Sequence, residues 1–244
     1  MLERTNLIKK IHESKYKLVY VSSGGGTNAV SSFLKVPGAS NTVLESYIPY
    51  SKKSMDIFLN KKPDHYCSLS TCLSMSANAY KKCMQIQQDI NTKYLIGVAV
   101  TASLATTYNK IGEHKFYIAI QTESYTKSIS CILEKGKRTR EEEEELITEY
   151  VLSLIAESCG IKKALPIHDE SIELQETKAR RSWKKLLNNK INFVSSDKST
   201  PELIFPGSFN PLHDGHLKMR ELAEKKTGMR ATFEICAKNA DKPP

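Results

Sequence analysis

Two histidines three residues apart, His213 and His216, close the segment Phe205-Pro-Gly-Ser-Phe-Asn-Pro-Leu-His-Asp-Gly-His216. A short apolar run, Leu203–Phe205, predicts a strand that delivers the chain to Gly207, where the backbone can approach a ligand closely. The N–H groups of Gly207, Ser208 and Phe209 can then turn toward phosphate oxygens. A helix over residues 215–226 aims its N-terminus at the same place. Gly215 between the histidines permits close approach at that helix start. Imidazole N–H donors held there would stabilise charge growing on a phosphoryl group. A second strand over residues 231–236 completes a strand–loop–helix–strand pattern.

At these residues the chain resembles the nucleotidyltransferase superfamily, whose motif G-[ST]-[FT]-[ND]-P-x-H-x-G-H stands here as Gly207-Ser-Phe-Asn-Pro-Leu-His-Asp-Gly-His216. The resemblance implies that His213 and His216 contact nucleotide phosphates during attack on the α-phosphate. Gly207, Ser208, Phe209, Asn210 and Gly215 would shape the phosphate loop. It further implies ATP or CTP as donor, a small phosphorylated acceptor, departing pyrophosphate and a Mg²⁺ ion. The family's second nucleotide motif, a Ser/Thr-rich loop ending in Arg, has no counterpart after His216. Residues 201–244 are therefore expected to be the N-terminal part of such a domain, an incomplete Rossmann-like βαβ unit.

A second constellation lies near the start. Leu18-Val-Tyr-Val21 predicts a buried strand, and it ends abruptly at Ser22-Ser-Gly-Gly-Gly26 before a helix from Thr27 to Leu34. A strand, a Gly-rich turn and a helix N-terminus make an anion site, although glycine there also serves plain backbone geometry. Val36-Pro-Gly-Ala-Ser40 must turn, because proline fixes φ and glycine follows it. Residues 42–48 predict a second strand, followed by Tyr50-Ser51.

This path resembles the C-terminal domain of CinA, the nicotinamide mononucleotide deamidase family. The family loop E-S-C-T-G-G aligns with Val21–Gly26, and its V-P-G-A-S stands intact at Val36–Ser40. Its Y-S-x-x-x-K aligns with Tyr50–Met55. Its T-G-x-A-G-P is echoed at Thr101–Thr106, and a basic pair before the last helix recurs in Lys137-Arg-Thr-Arg140. Carried across, the site would comprise Ser22, Ser23, Gly24, Tyr50 and Thr101, with Ser22 as nucleophile. A serine needs a base. The family's lysine position holds Met55, which cannot accept a proton, so the expectation is a vestigial site that does not deamidate.

The remaining elements frame these sites. Residues 70–87 predict a long helix; 94–100, 115–121 and 128–133 predict strands, with a hairpin loop at 122–126. Thr139-Arg-Glu-Glu142 fits a capping box, and the glutamates 141–145 complement the helix dipole. Apolar residues from Leu146 to Ile155 at three- and four-residue spacing predict one buried stripe, and Gly160 a stop. The acidic run is thus a helix start and not a metal site.

Residues 163–200 are polar and read as a connector, with a helix near 175–187 and a short strand near 191–194. Trp183 is expected to pack on a neighbour. The fold class is α/β: a three-layer α/β/α CinA-like domain (1–162), a connector (163–200) and the βαβ unit (201–244).

Composition narrows the partners. The 244 residues carry 36 basic and 27 acidic side chains, a formal charge of +9. The excess is spread along the chain. The densest stretch, Lys178–Lys185, reads as a solvated helix face, so nucleic acid is not an expected partner. No apolar run reaches the length needed to span a bilayer. The six cysteines show no C-x-x-C or zinc spacing and read as thiols in a reducing, cytoplasmic setting. Homo-oligomerisation is left open.

Overall fold

The run Leu18–Val21 is buried on both faces because its strand lies between two others in a sheet covered by helices on each side. In the computed structural model, residues 2–108, 110–187, 190–195, 200–209 and 211–236 are described. They fall in two units, Met1–Ala179 and Arg180–Pro244.

The first unit begins with α1 (Leu2–His12), then β1 (Lys17–Ser23), α2 (Thr27–Lys35) and β2 (Val43–Tyr47). Two helices follow, α3 (Lys52–Leu59) and α4 (Leu69–Ile86). Next come β3 (Leu95–Ser103), β4 (His114–Gln121), β5 (Tyr125–Leu133), α5 (Arg140–Ser158) and β6 (Ile172–Lys178). The sheet order is β2-β1-β3-β4-β5-β6. β2, β1 and β3 are parallel; β3 to β6 are antiparallel neighbours.

Strand alternation sorts the core into two layers. Leu18, Tyr20, Val98 and Val100 pack against Ile8, Phe33, Ile147 and Val151 from α1, α2 and α5. Val19, Val21, Ala99 and Ala119 pack against Met55, Cys72, Met75 and Ala79 from α3 and α4. The architecture is the three-layer α/β/α arrangement expected from the sequence.

α4 lies directly on β3 at Gly97. A Cβ there would sit 2.9 Å from Tyr80 Cα, and closer still to Ser76 O and Tyr80 N. The buried thiols of Cys72 and Cys83 donate to sheet carbonyls at Ala99, Tyr117 and Ile96. Burial pushes the Cys83 thiol up to about 12, so these are inert core groups. All six cysteines are free.

α5 starts with the expected capping box, Thr139 with Glu142. Its apolar surface is not the single stripe expected from the spacing. Leu152, Ser153 and Ala156 are buried as well, because residues after the helix run back over its outer face. Ser153 Oγ donates to Ala164 O, and Tyr150 Oη donates to Pro166 O. His168 and the Arg138–Glu170 ion pair hold this return segment down.

The connector expectation for 163–200 is corrected by this path. Residues 172–178 are a strand paired with β5 from Cys131↔Ile172 to Tyr125↔Lys178, so the first unit extends to Ala179. Helix forms only at α6 (Arg181–Leu187). The apolar alternation of this outermost strand stops after Ile172 and Leu174, too short a run to mark it. The strand expected at 191–194 is absent; those residues are irregular. Trp183 is 53% exposed, with the Arg180 guanidinium 5.5 Å from its ring.

The Arg138 guanidinium holds the Glu170 carboxyl down at about 2, well below its usual 4.5. A depressed carboxyl stabilises the fold above its unfolded pKa and loses that contribution as pH falls through the folded value. Glu170→Gln is therefore expected to lower the melting temperature at pH 7. The gap from the parent protein closes between about pH 4.5 and pH 2. Melting curves across that range check this; a constant gap contradicts it.

The second unit contains α6, β7 (Leu203–Gly207), α7 (Asp214–Thr227) and β8 (Ala231–Ile235). β7 and β8 are parallel neighbours from Leu203↔Ala231 to Gly207↔Ile235, the expected βαβ unit.

Candidate functional site

β1 and β3 end side by side, with Ser22 opposite Val100 and Ser23 opposite Thr101. Ligands of open α/β sheets bind beyond such carboxyl ends. Here the chain turns through Gly24 (φ +80°) and Gly26 (φ +87°) into α2. Gly24 is required on two counts: its φ is left-handed, and a Cβ would press on the Ala102 carbonyl, with the carbonyl carbon 3.0 Å away.

The turn is clamped by the protein itself. Tyr20 Oη donates to Gly26 O at 2.6 Å, and Arg140 Nη2 donates to Gly24 O at 3.1 Å. Burial, with the Glu144 carboxylate nearby, pushes the Tyr20 hydroxyl well above its ordinary value, so it acts as a fixed donor. Glu144 accepts from Gly26 N–H (2.7 Å), Thr27 Oγ1–H (2.8 Å) and Asn28 N–H (3.1 Å). The anion site expected at this helix start exists, and a carboxylate of the same chain fills it.

The serine and the methionine that were matched to the deamidase pair do not meet. By strand alternation Ser22 points to the α1/α2/α5 layer with Leu18 and Tyr20, whereas Met55 packs in the α3/α4 layer. Ser22 is fully buried, and its Oγ has no hydrogen-bond partner among the described residues. Ser23 faces the other layer and donates to Pro49 O at 3.1 Å. Thr101 is buried and donates to Tyr66 O at 3.0 Å. Of the five residues matched to the CinA site, Gly24 and Tyr50 share a cavity of about 410 Å³, with Arg140, Glu141 and Glu144 in its wall. Ser22, Ser23 and Thr101 do not line it.

Sequence reasoning missed the inward roles of Glu143 and Glu144, and gave Arg140 only as part of a basic pair before the helix. The signal was present. Extending the α5 spacing backward from Val151 and Ile147 by three- and four-residue steps reaches Glu144 and Glu143, so two of the five glutamates must turn inward. Glu143 is fully buried and accepts from Ala105 N–H at 2.6 Å, with His114 Nδ1 at 2.7 Å.

Twelve chains of solved structures match this one. The competence/damage-inducible protein CihA of Agrobacterium tumefaciens matches with a TM-score of 0.51 at 13% identity, covering 64% of this chain and 95% of that one. A CinA superfamily protein of Enterobacter cloacae matches at 0.52 and 13%, covering 64% and 92%. The first unit has the CinA fold. A competence or damage-inducible protein of Enterobacter asburiae gives 0.51 and 13%, covering 64% and 98%. No family model matches the sequence, and no curated protein matches it.

In the second unit, β7 delivers Gly207 to the turn before α7. A Cβ on Gly207 would lie 2.6–3.0 Å from the Phe209 ring. Phe209 holds a left-handed φ of +46°, the kind of strained backbone that gathers at ligand loops. Its ring packs edge-on to Phe205, Phe233 and His216. His213 caps α7: its Nδ1 accepts from Gly215 N–H at 3.2 Å, and His216 Nδ1 accepts from His213 N–H at 3.4 Å. The two rings stack with centroids 3.8 Å apart. A Cβ on Gly215 would meet the His213 ring at 3.0 Å.

Both Nδ1 atoms accept, an arrangement that suits the neutral tautomer with its N–H on Nε2, and no Nε2 partner is seen among the described residues. Ser208 is exposed beside this turn. Asn210 lies outside the described residues. Among the described residues no group of three His, Cys, Asp or Glu side chains could hold a metal. No helix among them is long and apolar enough to cross a membrane.

Proposed function

We propose that this is a nucleotide-binding protein whose βαβ unit takes the phosphates of ATP or CTP at the start of α7. Its CinA-like unit does not hydrolyse amides. The observation that carries the first part is the stacked His213–His216 pair beside a helix N-terminus, with both Nδ1 atoms spent on capping and neither Nε2 engaged among the described residues.

In nucleotidyl transfer, an acceptor oxygen of a small phosphorylated compound forms a bond to the α-phosphorus. The bond to the bridging oxygen breaks, and pyrophosphate leaves with that electron pair. His213 and His216 would donate to the phosphate oxygens as their charge grows. Gly207 and Ser208 would offer backbone N–H groups. A Mg²⁺ ion would be held chiefly by phosphate oxygens and water, as that ion prefers, and would neutralise their charge.

Isothermal titration with Mg·ATP and Mg·CTP, alongside pyrophosphate release, tests this. His216→Ala is expected to lower turnover on the order of a hundredfold and to weaken nucleotide binding less than tenfold. Equal losses in both would argue against a role in the transition state, and no binding of either nucleotide would overturn the reading.

The fold likeness favours a second reading, a CinA-type amidohydrolase acting on a nicotinamide nucleotide. The buried, unpartnered Ser22 Oγ and the methionine at position 55 count against it. Ammonia release from nicotinamide mononucleotide that disappears in Ser22→Ala would establish it.

A further inference from the structure

α6 stands at the start of the second unit, and none of its residues is buried. Trp183, Leu186 and Leu187 lie three and four residues apart and share one side of the helix. Arg181, Lys184 and Lys185 repeat that spacing and share the other side. The result is a two-sided helix whose apolar side is left open, with Trp183 and Leu187 exposed. Trp183 is the chain's only tryptophan. The Arg180 guanidinium, 5.5 Å from its ring, keeps a cation beside the indole at the surface.

The charge of this stretch has one sign. Arg180, Arg181, Lys184, Lys185 and Lys190 stand between Glu176 and Asp197, and no acidic residue does. Among the described residues no ion pair engages Arg180, Arg181, Lys185 or Lys190. A second exposed aromatic ring, Phe193, lies in the same acid-free stretch. The complement of such a surface is anionic, with an apolar layer within reach of a tryptophan.

Two kinds of partner meet that description, and the length of α6 separates them. A helix that docks in a protein groove carries apolar anchors out to position i+7. α6 covers under two turns, and position i+7 from Trp183 is Lys190. A flat lipid interface asks for less: a tryptophan at headgroup depth, a few aliphatic groups beside it, and cations whose long stems reach the headgroups.

We infer that α6 is a docking surface for an anionic lipid bilayer. Trp183, Leu186 and Leu187 enter the interface, and Arg180, Arg181, Lys184 and Lys185 lie among the charged headgroups. The helix rests along the membrane and does not cross it. The inference goes beyond the nucleotide reading and does not depend on binding at α7.

The test is sedimentation of the full chain with vesicles of equal parts phosphatidylcholine and phosphatidylserine, with Trp183 emission as the second readout. Because the tryptophan is single, its emission reports on α6 alone. Binding with a blue shift is expected, and neither is expected with phosphatidylcholine alone. Salt at about 1 M, which shortens the Debye length to about 3 Å, is expected to release most of the protein. Arg181→Gln combined with Lys185→Gln is expected to weaken partitioning about twentyfold, and Trp183→Ala about tenfold. All three side chains are exposed, so melting temperatures are expected to stay unchanged. Lys9→Gln combined with Lys10→Gln removes the same charge from exposed positions of α1 and is expected to leave partitioning unchanged. Absence of sedimentation with the anionic vesicles overturns the proposal. So does binding that leaves Trp183 emission unshifted, or equal weakening by the α1 pair, which would reduce it to general charge attraction. A blue shift with polyglutamate and none with vesicles would assign α6 to an acidic protein instead and likewise overturn it.

Discussion

Gly97→Ala is expected to lower the melting temperature by about 6–12 °C or to abolish soluble folding, corresponding to about 3 kcal/mol or more in a domain of this size. The atoms that a new Cβ would strike are Ser76 O and the Tyr80 backbone. They belong to the middle of α4, so no side chain can swing aside. The helix itself must lift from β3, opening the layer that holds Val19, Met75, Ala79 and Ala99. Thermal melts of the purified variant check this. Gly112→Ala, where a Cβ meets nothing within 4 Å, is the matched control; equal losses in the two would refute the close-approach argument.

Glu144→Ala is the second large effect. Three donors at the start of α2 lose their acceptor together, and hydrogen bonds to a charged group are the stronger class. A loss of about 3 kcal/mol is expected, on the order of three such bonds less what water recovers. The variant also uncovers a helix N-terminus and the Gly26 amide, both suited to an anion. Added phosphate is therefore expected to raise the melting temperature of the variant more than that of the parent. An equal response in both would mean that Glu144 does not stand in for an anion.

The strands β1, β3, β4 and β5 and the capped start of α5 were legible because apolar runs and a Thr-x-x-Glu box report on local geometry. α3 could have been read from Ser51, which caps Ser54 N–H, and from Met55 and Leu59 four residues apart. β6 could not, since beyond Ile172 and Leu174 its residues are polar or charged on both faces. The site was only half legible. β1 is buried on both sides, so hydrophobicity cannot say which layer receives Ser22 and which Ser23. The turn at Gly24–Gly26 was readable as an anion site, but its occupant, Glu144, lies more than a hundred residues further along the chain. The His213–His216 turn was readable because strand, loop and helix are contiguous there.

β6 has a consequence for solubility. A strand beside β5 satisfies that strand's outward N–H and C=O groups, which otherwise offer a template to other chains. β6 itself bears Glu173, Glu176 and Lys178 along its short length, and charges on an outermost strand discourage pairing with a stranger. A chain cut at residue 162 would retain every helix of the first unit and lose this guard. β5, with Ile129 and Ile132, would then become the rim of the sheet, and such a truncation is a candidate for self-association through strand pairing and not through its helices.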